Sequence, residues 1–212
     1  MYETETHYFI ALKEAKTVYD KIVVLDAGHG GWDTGTPSKD GRVLEKNINL
    51  QVLLYLEELL TARNIKVYAT RTTDRYIGHA ERIALANDLE ADMFISIHCN
   101  NAYQDAGAGG TEVLYAEQQE AVNGNGLDSE FLAQICLEKL TEALQTESRG
   151  LQAKGEELTV LQKAEVPAVQ VELAFMSNSK DMELMKTEAG QRTAAQALCD
   201  AVLDAYHATL PE

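Results

Sequence analysis

Residues 22–31 read Ile22-Val23-Val24-Leu25-Asp26-Ala27-Gly28-His29-Gly30-Gly31. A short apolar run bounded by turn residues is the pattern of a strand buried on both faces. The glycines around His29 let the backbone turn sharply where strand becomes loop. Two later runs end in the same way: Met93-Phe94-Ile95-Ser96-Ile97 on His98, and Val169-Gln170-Val171 on Glu172. Between them, Glu45 opens a helical pattern carried by Leu44, Ile48, Val52, Leu56 and Leu59/Leu60, where a first turn tolerates a carboxylate. Strands and helices that alternate like this predict an α/β fold: a twisted mixed, mostly parallel sheet of about six strands with helices on both faces.

The pattern predicts strands at 22–26, 65–70, 93–98, 111–115, near 158–161 and at 168–172. Helices are expected over 44–62, 79–90, about 127–146, and from about 179 to 207. A ligand loop spans 27–43, a Gly-rich loop runs from Asn100 to Gly110, and Ala116–Gly126 is polar and loop-like. Residues 1–20 carry weak helical character (Phe9, Leu12, Lys16, Tyr19) and read as an N-terminal segment or linker. Residues 21–212 read as one domain, without internal repeat or low-complexity tract.

In an open α/β sheet, ligands bind at the carboxyl ends of the strands. Two imidazoles, one carboxylate and a spare carboxylate gathered there are the parts of a catalytic zinc site. Such a site keeps three protein ligands, and two His plus one Glu is a known set. The ion lowers the pKa of water from about 15.7 toward about 7, and a carboxylate that does not bind it can move the proton. Taken singly, His29 reads equally well as a surface loop residue and Glu45 as a plain helix-start residue. Ligands at non-local spacing are not assigned by spacing.

The ordered motifs add a resemblance. Leu25 to Gly31 followed by Leu44-Glu45-Lys46-Asn47-Ile48-Asn49-Leu50 resembles the opening of the zinc-dependent N-acetylmuramoyl-L-alanine amidases, peptidoglycan hydrolases of the amidase_3 family. Thr70-Arg71-Thr72-Thr73-Asp74, Glu81 to Asn87, Phe94 to Asn100 and Pro167 to Asn178 follow in family order, so the similarity covers roughly Lys21 to Tyr206. The resemblance implies zinc ligands His29, Glu45 and His98, with Glu172 as the catalytic carboxylate. It also implies a peptidoglycan substrate and hydrolysis of the amide joining N-acetylmuramic acid to L-alanine. The chain departs from the family pattern at Ala27 (usually Pro), Ala174 (usually Gly), Cys99 (usually small) and Gly78-His79 (usually more apolar). None of these removes a ligand. The alternatives are a zinc peptidase cutting within stem peptides, and a non-catalytic wall-binding protein on the same fold; the presence of all four site residues speaks against the latter.

The charge balance is strongly acidic, 34 Asp+Glu against 18 Lys+Arg, for a net −16. That excludes a nucleic-acid partner, which needs a basic footprint, and charge-driven adhesion to anionic walls or membranes. No apolar run approaches the roughly 20 residues of a transmembrane helix. No export segment is visible after Met1, although the implied substrate places the activity outside the cytoplasm.

Several residues carry a second reading. Cys136 and Cys199 sit on apolar helix faces and read as buried free thiols; strand alternation points Cys99 away from the His98 side. Arg71 and Arg82 suit either substrate carboxylates or a loop brace through Asp74 or Glu81. Arg149-Gly150-Leu151 resembles a groove-lining segment of the family. His79 reads as a surface residue at a helix start. Trp32, the one Trp, serves either as a sugar stack or as a cover for its own loop. Among family members that carry a long plugging helix after the third ligand, the segment is far longer than Asn101–Gly109, so an open groove is expected here.

Overall fold

The computed structural model describes residues 2–3, 8–9, 21–102, 104–105, 107–117, 127–154 and 158–208. Its main sheet has six strands in the order β4-β3-β5-β8-β6-β7. These are β3 (Ile22–Ala27), β4 (Lys66–Ala69), β5 (Met93–Asn100), β6 (Thr111–Ala116), β7 (Ser148–Lys154) and β8 (Ala168–Phe175). All neighbours run parallel except β6 against β8. The helices are α1 (Glu45–Ala62), α2 (His79–Asp88), α3 (Ser129–Leu144), α4 (Thr159–Gln162), α5 (Ser179–Met185) and α6 (Glu188–Ala208). The first two strands, β1 (Tyr2–Glu3) and β2 (Tyr8–Phe9), form a separate antiparallel pair.

The sheet's two faces follow from residue parity. Odd positions of the central strands (Val23, Leu25, Met93, Ile95, Ile97, Val169, Val171) join α1, α3 and α6 in the larger core. Even positions (Val24, Phe94, Ala168) pack against Ile83 of α2 and Val160 of α4 in a smaller one. Along this second face the side chains change character toward the strands' carboxyl ends. The row Val24, Phe94, Ala168 is apolar; two residues on, Asp26, Ser96 and Gln170 stand in register; two further, His98 and Glu172 are partners, with Glu112 opposite Glu172. The sheet thus gathers its polar residues at one end, where the cleft lies.

Two expectations are corrected. Residues 158–161 do not form a strand: Thr159–Gln162 is one helical turn whose Val160 and Leu161 are buried. A short apolar run carries no periodicity that separates a strand from a buried helical turn. Conversely Ser148–Lys154 is an edge strand that the sequence reading passed over. It is polar, largely exposed and broken in register beside Gly150, whose φ is +90°, so it lacks the apolar alternation of a half-buried strand. In residues 1–20 the described positions are strands, Phe9 included, and the remaining helical pattern lies outside the described residues, as does most of the loop Ala116–Gly126. No helix of the described chain is long and apolar enough to cross a membrane.

Candidate active site

His29 stands just beyond β3, held at φ +61° in a left-handed turn. Its Nδ1 lies 2.9 Å from Asp33 Oδ2 and its Nε2 lies 3.1 Å from Glu45 Oε1. His98, near the end of β5, brings Nδ1 to 3.0 Å from the same Glu45 oxygen. The two imidazoles meet edge to face with centroids 4.9 Å apart. One ligand atom from each of His29, Glu45 and His98 lies within 4.8 Å of the others, a grouping able to hold a metal ion.

The sequence explains why these groups converge. Glu45 begins α1 with its carboxylate buried. It accepts hydrogen bonds from the backbone N–H of Thr36 (2.8 Å) and Cys99 (3.1 Å), and from Asn49 Nδ2 one turn along the helix. Gly28 leaves room for the His98 ring, which any Cβ at that position would strike. Burial pushes the Glu45 carboxyl upward, but the hydrogen bonds and charges of His29 and His98 hold it well below the usual carboxylate range. Burial likewise lowers the His29 imidazole; Glu45 and Asp33 outweigh it and raise the ring to about 9.

Glu172 is nearly fully buried in β8, beside His98 in register. Gln170 Nε2 donates to its Oε1 at 2.7 Å, while its Oε2 is buried without a partner. An orphan carboxylate oxygen is costly unless something else meets it. Burial above all, with the charges of Glu45 and Glu112 adding to it, raises this carboxyl despite the opposing charge of His98 and the Gln170 hydrogen bond. All four residues line one cleft of about 390 Å³, together with His79, Arg82, Asn100, Asn101 and Thr159.

Beneath the cleft lies a buried brace. Asp26 accepts from Thr70 Oγ1 and Ser96 Oγ, both at 2.6 Å, and from Arg82 Nη1 at 2.7 Å. Arg82 also donates to the carbonyls of Ile77, Ala27 and His29, and Arg71 to those of Ala27, Gly28, Lys46 and Thr73. Both guanidinium groups are thus spent on the backbone that carries His29. Of their two readings the loop brace is the one formed, and Arg82 makes it through Asp26 rather than Glu81.

The remaining candidates fall elsewhere. Cys99 faces the larger core, as alternation required, and all three cysteines are buried free thiols. His79 is exposed at the start of α2 and lines the cleft. Arg149 lies on the edge strand over the Phe175 ring and is not among the residues that line the cleft. Trp32 covers no core: it is 76% exposed. Sequence reasoning missed Asp33, Gln170 and Asp26. Gln170 was within reach, because it stands two residues before Glu172 on the same strand face. Asp33 and Asp26 become visible only once the turn and the sheet register exist.

A family model described as N-acetylmuramoyl-L-alanine amidase matches residues 23–204. The uncharacterized protein YqiI of Bacillus subtilis (strain 168) is 34% identical over 193 residues, covering 91% of this chain and 88% of YqiI. The N-acetylmuramoyl-L-alanine amidase LytC of the same organism is 31% identical over 189 residues, 89% of this chain but only 36% of LytC. Among solved structures, the catalytic domain of CwlV, an N-acetylmuramoyl-L-alanine amidase from Bacillus (Paenibacillus) polymyxa var. colistinus, superposes with a TM-score of 0.80 at 28% identity, covering 90% of this chain and 99% of that domain.

Proposed function

The chain belongs to the N-acetylmuramoyl-L-alanine amidase family, and from that premise we propose that it is a zinc-dependent hydrolase of the peptidoglycan amide between the lactyl group of N-acetylmuramic acid and L-alanine. The observation that carries this reading is the convergence of His29 Nε2, Glu45 Oε1 and His98 Nδ1 beside the unpartnered Glu172 Oε2. Two imidazoles and a carboxylate suit zinc in type and number. The carboxylate of Asp33 behind His29 is the outer partner that orients a ligating imidazole. Bound by His29, Glu45 and His98, zinc would supply Lewis-acid polarisation of the scissile carbonyl and acidify the attacking water.

The chain's own residues supply the rest. Glu172 accepts the water's proton at Oε2 as the new carbon–oxygen bond forms. It returns that proton to the alanine nitrogen as the carbon–nitrogen bond breaks, so one group serves as base and then as acid. Gln170 holds Oε1, which leaves Oε2 free for this transfer. The raised proton affinity of Glu172, caused above all by its burial, suits a group that must take up a proton and give it back. Asp33 fixes the His29 ring, and Thr36 and Cys99 N–H fix Glu45. The reaction takes place where peptidoglycan lies, outside the cytoplasmic membrane.

Mass spectrometry of a digested soluble muropeptide tests the proposal. It should return a stem peptide with a free L-alanine amino terminus and a muramic acid with its lactyl carboxylate intact. A shortened stem still attached to the sugar would identify a peptidase instead.

A further inference from the structure

Of the large apolar side chains that are exposed among the described residues (Trp32 at 76%, Tyr76 at 41%, Phe131 at 38%), two stack on each other. The Trp32 and Tyr76 rings lie 4.4 Å apart between centroids, at 26° to one another. The two loops that present them are fastened together. Asp74 Oδ1 accepts from Gly31 N–H at 2.8 Å, and Lys46 Nζ reaches both the Gly31 carbonyl (2.9 Å) and Asp74 Oδ2 (2.6 Å). Gly31, at φ +60°, packs so closely on this second loop that a Cβ would come within 2.8 Å of the Tyr76 nitrogen. Trp32 follows His29 by three residues and Tyr76 precedes His79 by three, and both histidines line the cleft. Neither ring lines the cleft itself, but the stacked pair sits on the loops that carry His29 and lead into His79, which do, and the Trp32 indole is open to solvent.

We propose that Trp32, backed by Tyr76, is a glycan subsite that stacks on a pyranose ring of the sugar strand next to the muramic acid being cleaved. The choice of sugar as substrate class rests on the amidase reading; the surface itself does not. An aromatic face matches the C–H face of a pyranose, and a stack held rigid before binding loses little entropy on contact. The stem peptide is the poorer occupant. Its carboxylates would approach a chain of net charge −16, at a place where the nearby cations His29 and Lys46 are already paired with Asp33 and Asp74. A neutral N-acetylated amino sugar meets no such repulsion.

Trp32 is the chain's one tryptophan, so its fluorescence reports this surface alone. The full chain without added metal is titrated with peptide-free tetra-N-acetylchitotetraose, a neutral probe, and in parallel with sugar-free stem peptide. A saturable emission change with the tetrasaccharide, at least about threefold weaker in Tyr76→Ala, is the expected result. In the active protein, Trp32→Ala should lower kcat/KM for a tetrasaccharide-linked stem, relative to a single muramoyl peptide, by about tenfold, the scale of one lost aromatic stack. An unchanged emission with the sugar, a response to the stem peptide alone, an emission that follows protein concentration as a second copy docks, or an equal loss on both substrates would each overturn the subsite. Because the titration needs neither zinc nor turnover, a glycan response in a chain that cleaves nothing would uphold the subsite while the amidase reading failed.

Discussion

At the scale of single residues, the site's two buried glutamates have opposite environments. Glu45 is surrounded by donors and kept charged, whereas Glu172 has one neutral donor, a free oxygen and a raised proton affinity. Glu45→Ala should therefore lower zinc content and activity together. Glu172→Gln should retain the zinc and lose turnover by about 100-fold or more, since an amide cannot carry the proton. Metal analysis beside single-substrate kinetics checks both; equal zinc loss in the two variants would make Glu172 a ligand. Asp26 governs stability rather than chemistry. Burial raises its carboxyl, but Arg82, Ser96 and Thr70 together hold it below its ordinary value of 3.8. A carboxyl depressed in the folded state binds its proton more readily when unfolded. Its contribution is complete above about pH 3.8 and is lost as pH falls through the folded value. Asp26→Asn leaves the Arg82 charge buried without its partner, so at pH 7 it should cost about 3–5 kcal/mol. Denaturant unfolding at pH 7 and at pH 3 measures this, and the gap between variant and parent should narrow in acid.

At the scale of elements, the strand-to-loop turn after β3 does most to assemble the site. Gly28→Ala places a methyl group where the His98 imidazole stands, so the ring must move. Zinc affinity should fall by about 10–100-fold, as for other disturbances of ligand orientation. Calorimetric zinc titration measures this, and an unchanged affinity would mean that the His98 ring has another place to go. The elements that sequence disclosed best are those buried on both faces, β3, β5 and β8, because their apolar runs end abruptly at chemistry-bearing residues. The polar edge strand β7 and the single helical turn α4 were misread for the converse reason: exposure at the sheet edge removes the alternation, and one turn is too short to show a period. Strand ends and a helix start draw attention to His29, Glu45, His98 and Glu172, which the structure brings to one cleft; the roles proposed for them come from the family resemblance. Asp33, Gln170 and the Asp26–Arg82 brace act through turn geometry and strand register, which a one-dimensional reading does not contain.

At the scale of the whole molecule, net charge and cleft pull in different directions. With −16 charges, the chain should bind anionic walls poorly. Moderate salt should improve sedimentation with walls, since screening reduces repulsion beyond about 10 Å at 0.1 M. Tight binding that salt disrupts would reveal a basic patch hidden by the net value. If His29, Glu45 and His98 hold one zinc that the amidase reaction requires, metal content and turnover must move together. The most direct measurement is removal of metal from the purified chain by a chelator, followed by stepwise return of zinc with turnover of a soluble muropeptide recorded at each addition. Turnover should be lost on stripping and should recover to a level reached at about one zinc per chain. Undiminished turnover in the stripped chain would contradict this.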